Sequence, residues 1–379
     1  MTLPPLTYLT VDSVSEGIGL SQVVRYVERL ARRGLDVTLH SFEQHDPDPA
    51  VAARLHAAGA RWRPHRFRGA GSAGGALRVA HGAALVAGAD LVHARSDLAA
   101  ASAMLAGRRA WVWDFRGFWR EQRIAQALLR PGSAPDRAMR RVEAASARRC
   151  KGIVTLTEAA VAVLEERHGR EVAAKATVIS TCVDLGLFCS SPLPDGGPVR
   201  LLLAGTLNRL YDVPAMLKLV ERVASRCPAE LTVLTSEPSP WDGQLRARGL
   251  TPASAPPAEM PERIGAHHAG LSVLRDVGAS NRGAVPTKLA EFLACGRPVV
   301  VNAGLGDMDR LLAAYDCGVV LAGPSDEAID VAAAGLLRLL ADRGTPARCR
   351  SLAEEHFDVE RGVDRLVDLY HRVVAQALA

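Results

Sequence analysis

Lys288 and Glu291 stand three residues apart, just after Pro286-Thr287 and ahead of Phe292-Leu-Ala-Cys-Gly-Arg-Pro298. Proline suits the first turn of a helix, where its missing N–H costs nothing, and Gly296-Arg297-Pro298 ends a helix and opens a strand. The free N–H groups of such a helix start, with a lysine beside them, attract an anion. A carboxylate at Glu291, near the same end, is placed to accept the hydroxyl groups of a sugar. The same residues also fit an ordinary helix-to-strand unit with a solvated Lys–Glu pair. Residue chemistry alone leaves both readings open.

A second group lies in Trp111-Val-Trp-Asp-Phe-Arg-Gly-Phe-Trp119. Alternation puts Trp111, Trp113 and Phe115 on one strand face, which reads as core. Asp114 and Arg116 then point the other way, at the strand's carboxyl end. Gly117 permits a sharp turn, leaving Phe118 and Trp119 near a cleft with flat faces for stacking on rings. His93 ends the preceding strand and is either a cleft residue or a structural one. In Ser15-Glu-Gly-Ile-Gly-Leu-Ser-Gln22, Gly17 and Gly19 allow close backbone approach to a ligand, or simply form a turn and helix cap.

These residues need a frame, and the chain repeats strand, glycine turn and helix. Apolar runs at 6–11, 36–42, 91–94, 111–115 and 152–156 alternate with helical stretches such as 20–33, which Gly34 closes. Ser-Ser-Pro-Leu-Pro-Asp-Gly-Gly-Pro within 187–199 reads as a linker, after which the rhythm restarts. The expectation is an α/β chain of two Rossmann-like doubly wound domains facing a cleft, residues 1–186 and 187–362. A periodic helix at 363–379 follows. Open parallel sheets bind ligands at their carboxyl ends, so two of them give one ligand site per domain.

The chain has 379 residues, 48% of them hydrophobic, and a formal net charge of +5. Two cores fit that length, and the small charge argues against a nucleic-acid partner. Seven cysteines without a C-x-x-C pair point to a reducing, cytoplasmic setting. Neither a signal-peptide pattern nor a membrane-spanning run is present. Arg137, Arg140, Arg141, Arg148 and Arg149 form a basic helix face, solvated by default, or in peripheral contact with an anionic membrane if the acceptor is lipid-linked. Gly69-Ala-Gly-Ser-Ala-Gly74 fits a dinucleotide fingerprint formally, but the charged segment 61–68 before it makes a poor buried strand. Asp46-Pro-Asp48 and Asp307-Met-Asp309 fit a metal pattern only in form.

The stretch Val285–Asp307 resembles the donor-binding motif of the family-4 glycosyltransferases, in the subset with Ser-Pro-Thr-Lys-Leu-x-Glu-Tyr-Leu-Ala-Cys-Gly-x-Pro-Val. Gly19-Leu-Ser-Gln22, His93-Ala-Arg-Ser96, Asp114-Phe-Arg-Gly-Phe-Trp119, Thr155-Leu-Thr-Glu158, Thr181-Cys-Val-Asp184 and Gly205-Thr-Leu with Tyr211 resemble further segments in the same order. The resemblance implies the GT-B fold and a retaining transfer from a nucleoside diphosphate sugar to an acceptor hydroxyl on a glycan, lipid-linked or small-molecule acceptor. The nucleotide sugar is a co-substrate, and neither a cofactor nor a bound metal is expected.

By that resemblance Glu291 holds the ribose, with Gly205, Thr206, Pro286 and Thr287 around the donor. Arg209, Arg275 and Lys288 are the candidate cations for the diphosphate. Gly17, Gly19, His93, Arg116 and Trp119 belong to the acceptor and diphosphate loop. Asp114 is expected to contact the acceptor hydroxyl or the transferred sugar, and with Arg275 and Lys288 makes up the catalytic set. Gly283 stands where many members carry a second glutamate that grips the donor sugar, with Asp276 or Asn281 as substitutes. The loop after Gly205 has Arg209 where many have Arg and Lys. A nucleotide-sugar epimerase on the same fold, a non-catalytic nucleotide-sugar-binding subunit and a dinucleotide oxidoreductase are the competing expectations.

Overall fold

Strands buried on both faces require apolar side chains on both, and the central runs of this chain meet that demand. A computed structural model describes residues 2–69, 71–235 and 237–378, which form two compact units. The first is Met1–Ser180 with Val359–Ala379, and the second is Thr181–Asp358.

The first unit holds seven parallel strands: β1 (Leu6–Thr10), β2 (Val37–Glu43), β3 (Arg61–Arg66), β4 (Leu91–Arg95), β5 (Trp111–Asp114), β6 (Gly152–Thr155) and β7 (Ala176–Val178). Their order is β3-β2-β1-β4-β5-β6-β7. The second unit holds β8 (Val199–Ala204), β9 (Ala229–Leu234), β10 (Ala269–Ser272), β11 (Val299–Asn302) and β12 (Gly318–Leu321), ordered β12-β11-β10-β8-β9. Each sheet reverses its winding once, between β1 and β4 in the first unit and between β8 and β10 in the second. Crevices open at the carboxyl ends of such strand pairs.

β3 is not a buried strand, in keeping with its charge. Arg61–Arg66 is a strand, but at the sheet edge, where its arginines reach solvent and Pro64 breaks no interior ladder. Carbonyls at the start of the glycine stretch are engaged by a cation. The Arg78 side chain takes the carbonyls of Gly69 (2.7 Å) and Arg68 (3.3 Å), so acceptors rather than N–H donors face inward. Ala70 of that stretch lies outside the described residues.

The passage between units falls after Ser180, earlier than the proline-rich stretch suggested. That stretch is held by two arginines of the second unit. Arg297, fully buried, donates to the carbonyls of Ser191, Pro192 and Gly265 at 2.7–2.9 Å, and Arg350 donates to those of Phe188 and Leu185. Carbonyl dipoles satisfy these guanidiniums, and the segment becomes part of the unit rather than a free tether.

The last helix, Val359–Leu378, starts four residues before the expected 363. It buries Val363, Leu366, Tyr370, Val373 and Val374 in the first unit, a stripe at helical spacing. Gly152 admits it: a Cβ there would stand 2.7 Å from Leu369 Cδ1 and 2.9 Å from Val373 Cγ2. Among the described residues no helix is long and apolar enough to cross a membrane.

Candidate functional site

In the second unit the helix Thr287–Ala294 begins at the carboxyl end of β10. Pro286 is its N-cap, one residue before the first turn, and no side chain caps the first N–H groups. Thr181 fixes the entry, its hydroxyl donating to Val285 O at 2.7 Å. Gly296, at φ +75°, closes the helix. Lys288 Nζ and Glu291 Oε2 meet at 2.7 Å on its first turn, with Glu291 largely buried and Lys288 half-buried.

β8 brings the other donor candidates to that turn. Gly205 follows its last residue at φ +127°, a conformation L side chains rarely adopt. A Cβ on Gly205 would meet Lys288 Cγ at 3.8 Å and the Tyr211 hydroxyl at 3.9 Å. Burial pushes the Tyr211 phenol up to about 12. The loops after β8 and β10 are bonded to each other: Asp212 N donates to Val273 O, Arg275 N donates to Leu210 O, and Tyr211 bridges Leu274. Thr206, Arg209 and Arg275 are exposed on these loops, with the Arg275 guanidinium 4.9 Å from the Trp241 ring centre.

Asn281 accepts from Val277 N and donates to Arg275 O, while Asp276 accepts from Gly278 N, so both shape their own loop. Asn302, which sequence reasoning did not single out, accepts from Leu274 N at 2.8 Å and anchors the β10 loop to β11. One aspartate of each Asp-x-Asp pair binds backbone: Asp48 accepts from Ala50 N, and Asp309 accepts from Gly304 N.

In the first unit Asp114 is 2% exposed and surrounded by cations. Its Oδ2 lies 3.1 Å from His93 Nε2 and 3.2 Å from Arg95 Nη1, and Oδ1 lies 3.1 Å from Arg116 Nε. Burial raises the Asp114 pKa, but Arg116 first, then His93 and Arg95, more than offset it and hold the carboxyl well below its usual range. His93 stacks on Tyr8 at 4.1 Å, and its own pKa is lowered by burial. The Asp114 carboxyl thus sits among Arg116, Arg95 and His93, and its Oδ1 has no hydrogen-bond partner among the described residues. Arg116 is largely buried, and its Nη1 has no hydrogen-bond partner among the described residues.

Phe118, expected to offer a flat face for stacking, is buried instead. It is fully buried against Phe115, with Arg167 over its face at 4.5 Å. Trp119, half-buried, opens the next helix beneath Arg123.

The loop after β1 is built around Glu43, whose carboxylate accepts from Ser13 Oγ, Ser15 Oγ and Val14 N. Gly19 is required by proximity, since a Cβ would stand 2.6 Å from Val14 Cα; Gly17 is at φ +55°. A π-turn at Leu20–Val24 follows, a feature frequent at functional sites. Ser96 was not assigned a role from sequence. It follows β4 at φ +79° with its hydroxyl buried and unpartnered, beside the crevice between β1 and β4.

Residues 21–187 match the model of the family described as Glycosyltransferase Family 4. The whole chain has the GT-B fold. It is similar to sucrose-phosphate synthase from Thermosynechococcus elongatus, at TM-score 0.74 and 16% identity, covering 98% of this chain and 100% of that one. It is similar to HepE from Anabaena, solved in complex with UDP-glucose, at TM-score 0.70 and 15% identity over 96% and 98%. A third likeness is to WaaG, a glycosyltransferase involved in lipopolysaccharide biosynthesis, at TM-score 0.66 and 13% identity over 95% and 98%. No curated protein sequence matches the chain.

Proposed function

We propose that this chain is a glycosyltransferase that moves a sugar from a nucleoside diphosphate sugar to an acceptor hydroxyl with retention at the anomeric carbon. The observation that carries the reading is the junction of Gly205, Tyr211, Lys288 and Glu291 at the crevice between β8 and β10. Backbone that only glycine adopts readily stands against a lysine and a carboxylate at a helix start, which is the chemistry a nucleoside diphosphate needs.

Glu291 accepts the ribose hydroxyls. Lys288 exchanges its bond to Glu291 for the diphosphate, and Arg209 and Arg275 complete the cationic set from the two bonded loops. Departure of the nucleoside diphosphate builds negative charge, and positioned cations stabilise it. Gly205, Thr206, Pro286 and Thr287 let the donor approach the backbone.

The acceptor belongs to the first unit, at the loop with Gly17 and Gly19, with Arg116 and Trp119 beside the end of β5. Asp114 and His93 hold Arg116 and the end of β5 in place. The donor is used as it is, without a cofactor or bound metal. UDP-glucose, bound by HepE, is the first donor to offer.

A screen of nucleoside diphosphate sugars by thermal shift, followed by a transfer assay with sugar and lipid-linked acceptors, tests the reading. Donor binding with sugar transfer and a product of unchanged anomeric configuration supports it. Conversion of the donor without any acceptor marks an epimerase instead, and binding without transfer a non-catalytic subunit.

A further inference from the structure

A cavity of about 460 Å³ opens in the first unit where β5 and β6 begin, at the sheet edge opposite the carboxyl ends. Four cations line it: Arg108, Arg109, Arg149 and Lys151. Trp111 and, from the last helix, Gln376 complete the wall, and no aspartate or glutamate lines it.

Among the described residues no carboxylate pairs with these charges. Arg108 donates to the carbonyls of Ala89 (2.9 Å) and Ala106 (3.3 Å), which hold the guanidinium without neutralising it. Among the described residues, Arg109, Arg149 and Lys151 have no carboxylate within ion-pair distance. Several arginines of this chain lie instead beside shared carboxylates. Arg222 and Arg226 share Asp330, Arg338 and Arg348 share Asp316, and Arg120 and Arg140 share Asp136. Like charges gathered around one cavity repel each other, and a bound anion relieves that repulsion.

Arginine forks fit phosphate oxygens, and the volume suits a small organic ligand better than a bare ion. We propose that this pocket binds a phosphate ester, carried either by a soluble phosphorylated compound or by a lipid headgroup. The lipid source has its own physical basis. Leu105 (65% exposed) and Leu378 (76% exposed) adjoin the lining residues Met104 and Ala377 in sequence, and such side chains enter the acyl boundary when a headgroup is held.

The experiment compares the wild-type chain with Arg109→Gln/Arg149→Gln and with Lys288→Ala. Both arginines are exposed, so the double substitution leaves the core intact. A second pocket variant, Lys151→Gln, guards against misfolding of the first. One arm titrates sn-glycerol 3-phosphate by calorimetry. The other sediments the protein with vesicles of roughly one-third phosphatidylglycerol in phosphatidylcholine, against phosphatidylcholine alone.

The expected result is binding in at least one arm, weakened about tenfold or more in the double variant, weakened to a lesser degree in Lys151→Gln, and unchanged in Lys288→Ala. The arm that responds identifies the source of the ester. Failure to bind in both arms overturns the proposal, as does binding that both pocket variants retain or that Lys288→Ala abolishes. The Lys288→Ala control keeps this outcome separate from that of the donor site.

Discussion

The Tyr370 hydroxyl lies 2.9 Å from His93 Nδ1, across 277 residues of sequence. Nε2 of the same ring faces Asp114, so a neutral imidazole with its proton on Nε2 satisfies both partners, with tyrosine donating to Nδ1. The last helix is thus bonded to the polar group under the end of β5. Tyr370→Phe is expected to remove the donor while keeping the ring. The buried Nδ1 is left unpaired, which costs about 1–3 kcal/mol of stability. Urea unfolding of the two proteins measures the difference.

Asp97, buried in the first turn of the helix Ser96–Leu105, makes stability depend on pH. Burial first, then the Glu143 carboxylate, pushes its pKa up to about 7. Unfolded, it ionises near the ordinary carboxylate value, so between roughly pH 4 and 7 the folded chain binds more protons. A raised folded value means that Asp97's contribution is present at low pH and is lost as pH rises to about 7. Asp97→Asn is therefore expected to gain stability over wild type at pH 8, on the order of a few kcal/mol, and to gain little at pH 4. Melting curves across that range check it, and a difference independent of pH would contradict it.

Much of this was readable beforehand. Pro286 and Gly296 mark the ends of the helix Thr287–Ala294 because each has a backbone property no other residue shares. The apolar runs of β1, β4, β5 and β6 announce central strands. The Asp114 environment was not readable, because alternation along β5 shows only which way a side chain points. It does not show that β4, in register, sets Arg95 opposite Asp114. β3 was hidden because an edge strand does not need apolar residues. Arg297 and Arg350, which bind the proline-rich stretch to the second unit, act through carbonyls that leave no trace in residue type. The positive φ of Ser96 was invisible for the same reason.

Gly270 in β10 lies under the ring of Phe292, on the helix Thr287–Ala294: a Cβ on Gly270 would be 2.5 Å from Phe292 Cε2. Phe292 is fully buried, so the helix rather than the ring must yield. Gly270→Ala is expected to cost about 1–3 kcal/mol of stability and to displace Lys288 and Glu291, which share that helix. Donor affinity falls with it. Adding Phe292→Leu opens space and restores part of both. Calorimetric titration beside thermal melting separates the two effects.

Glu291→Ala tests the donor site most directly. Titration of the wild-type and substituted chains with the nucleoside diphosphate sugar that binds best gives the decisive comparison. If the buried Glu291 carboxylate accepts the ribose hydroxyls as proposed, its loss is expected to weaken binding roughly ten- to hundredfold with the fold intact. Equal affinity in the two proteins would place the nucleotide elsewhere and contradict the assignment of the crevice between β8 and β10.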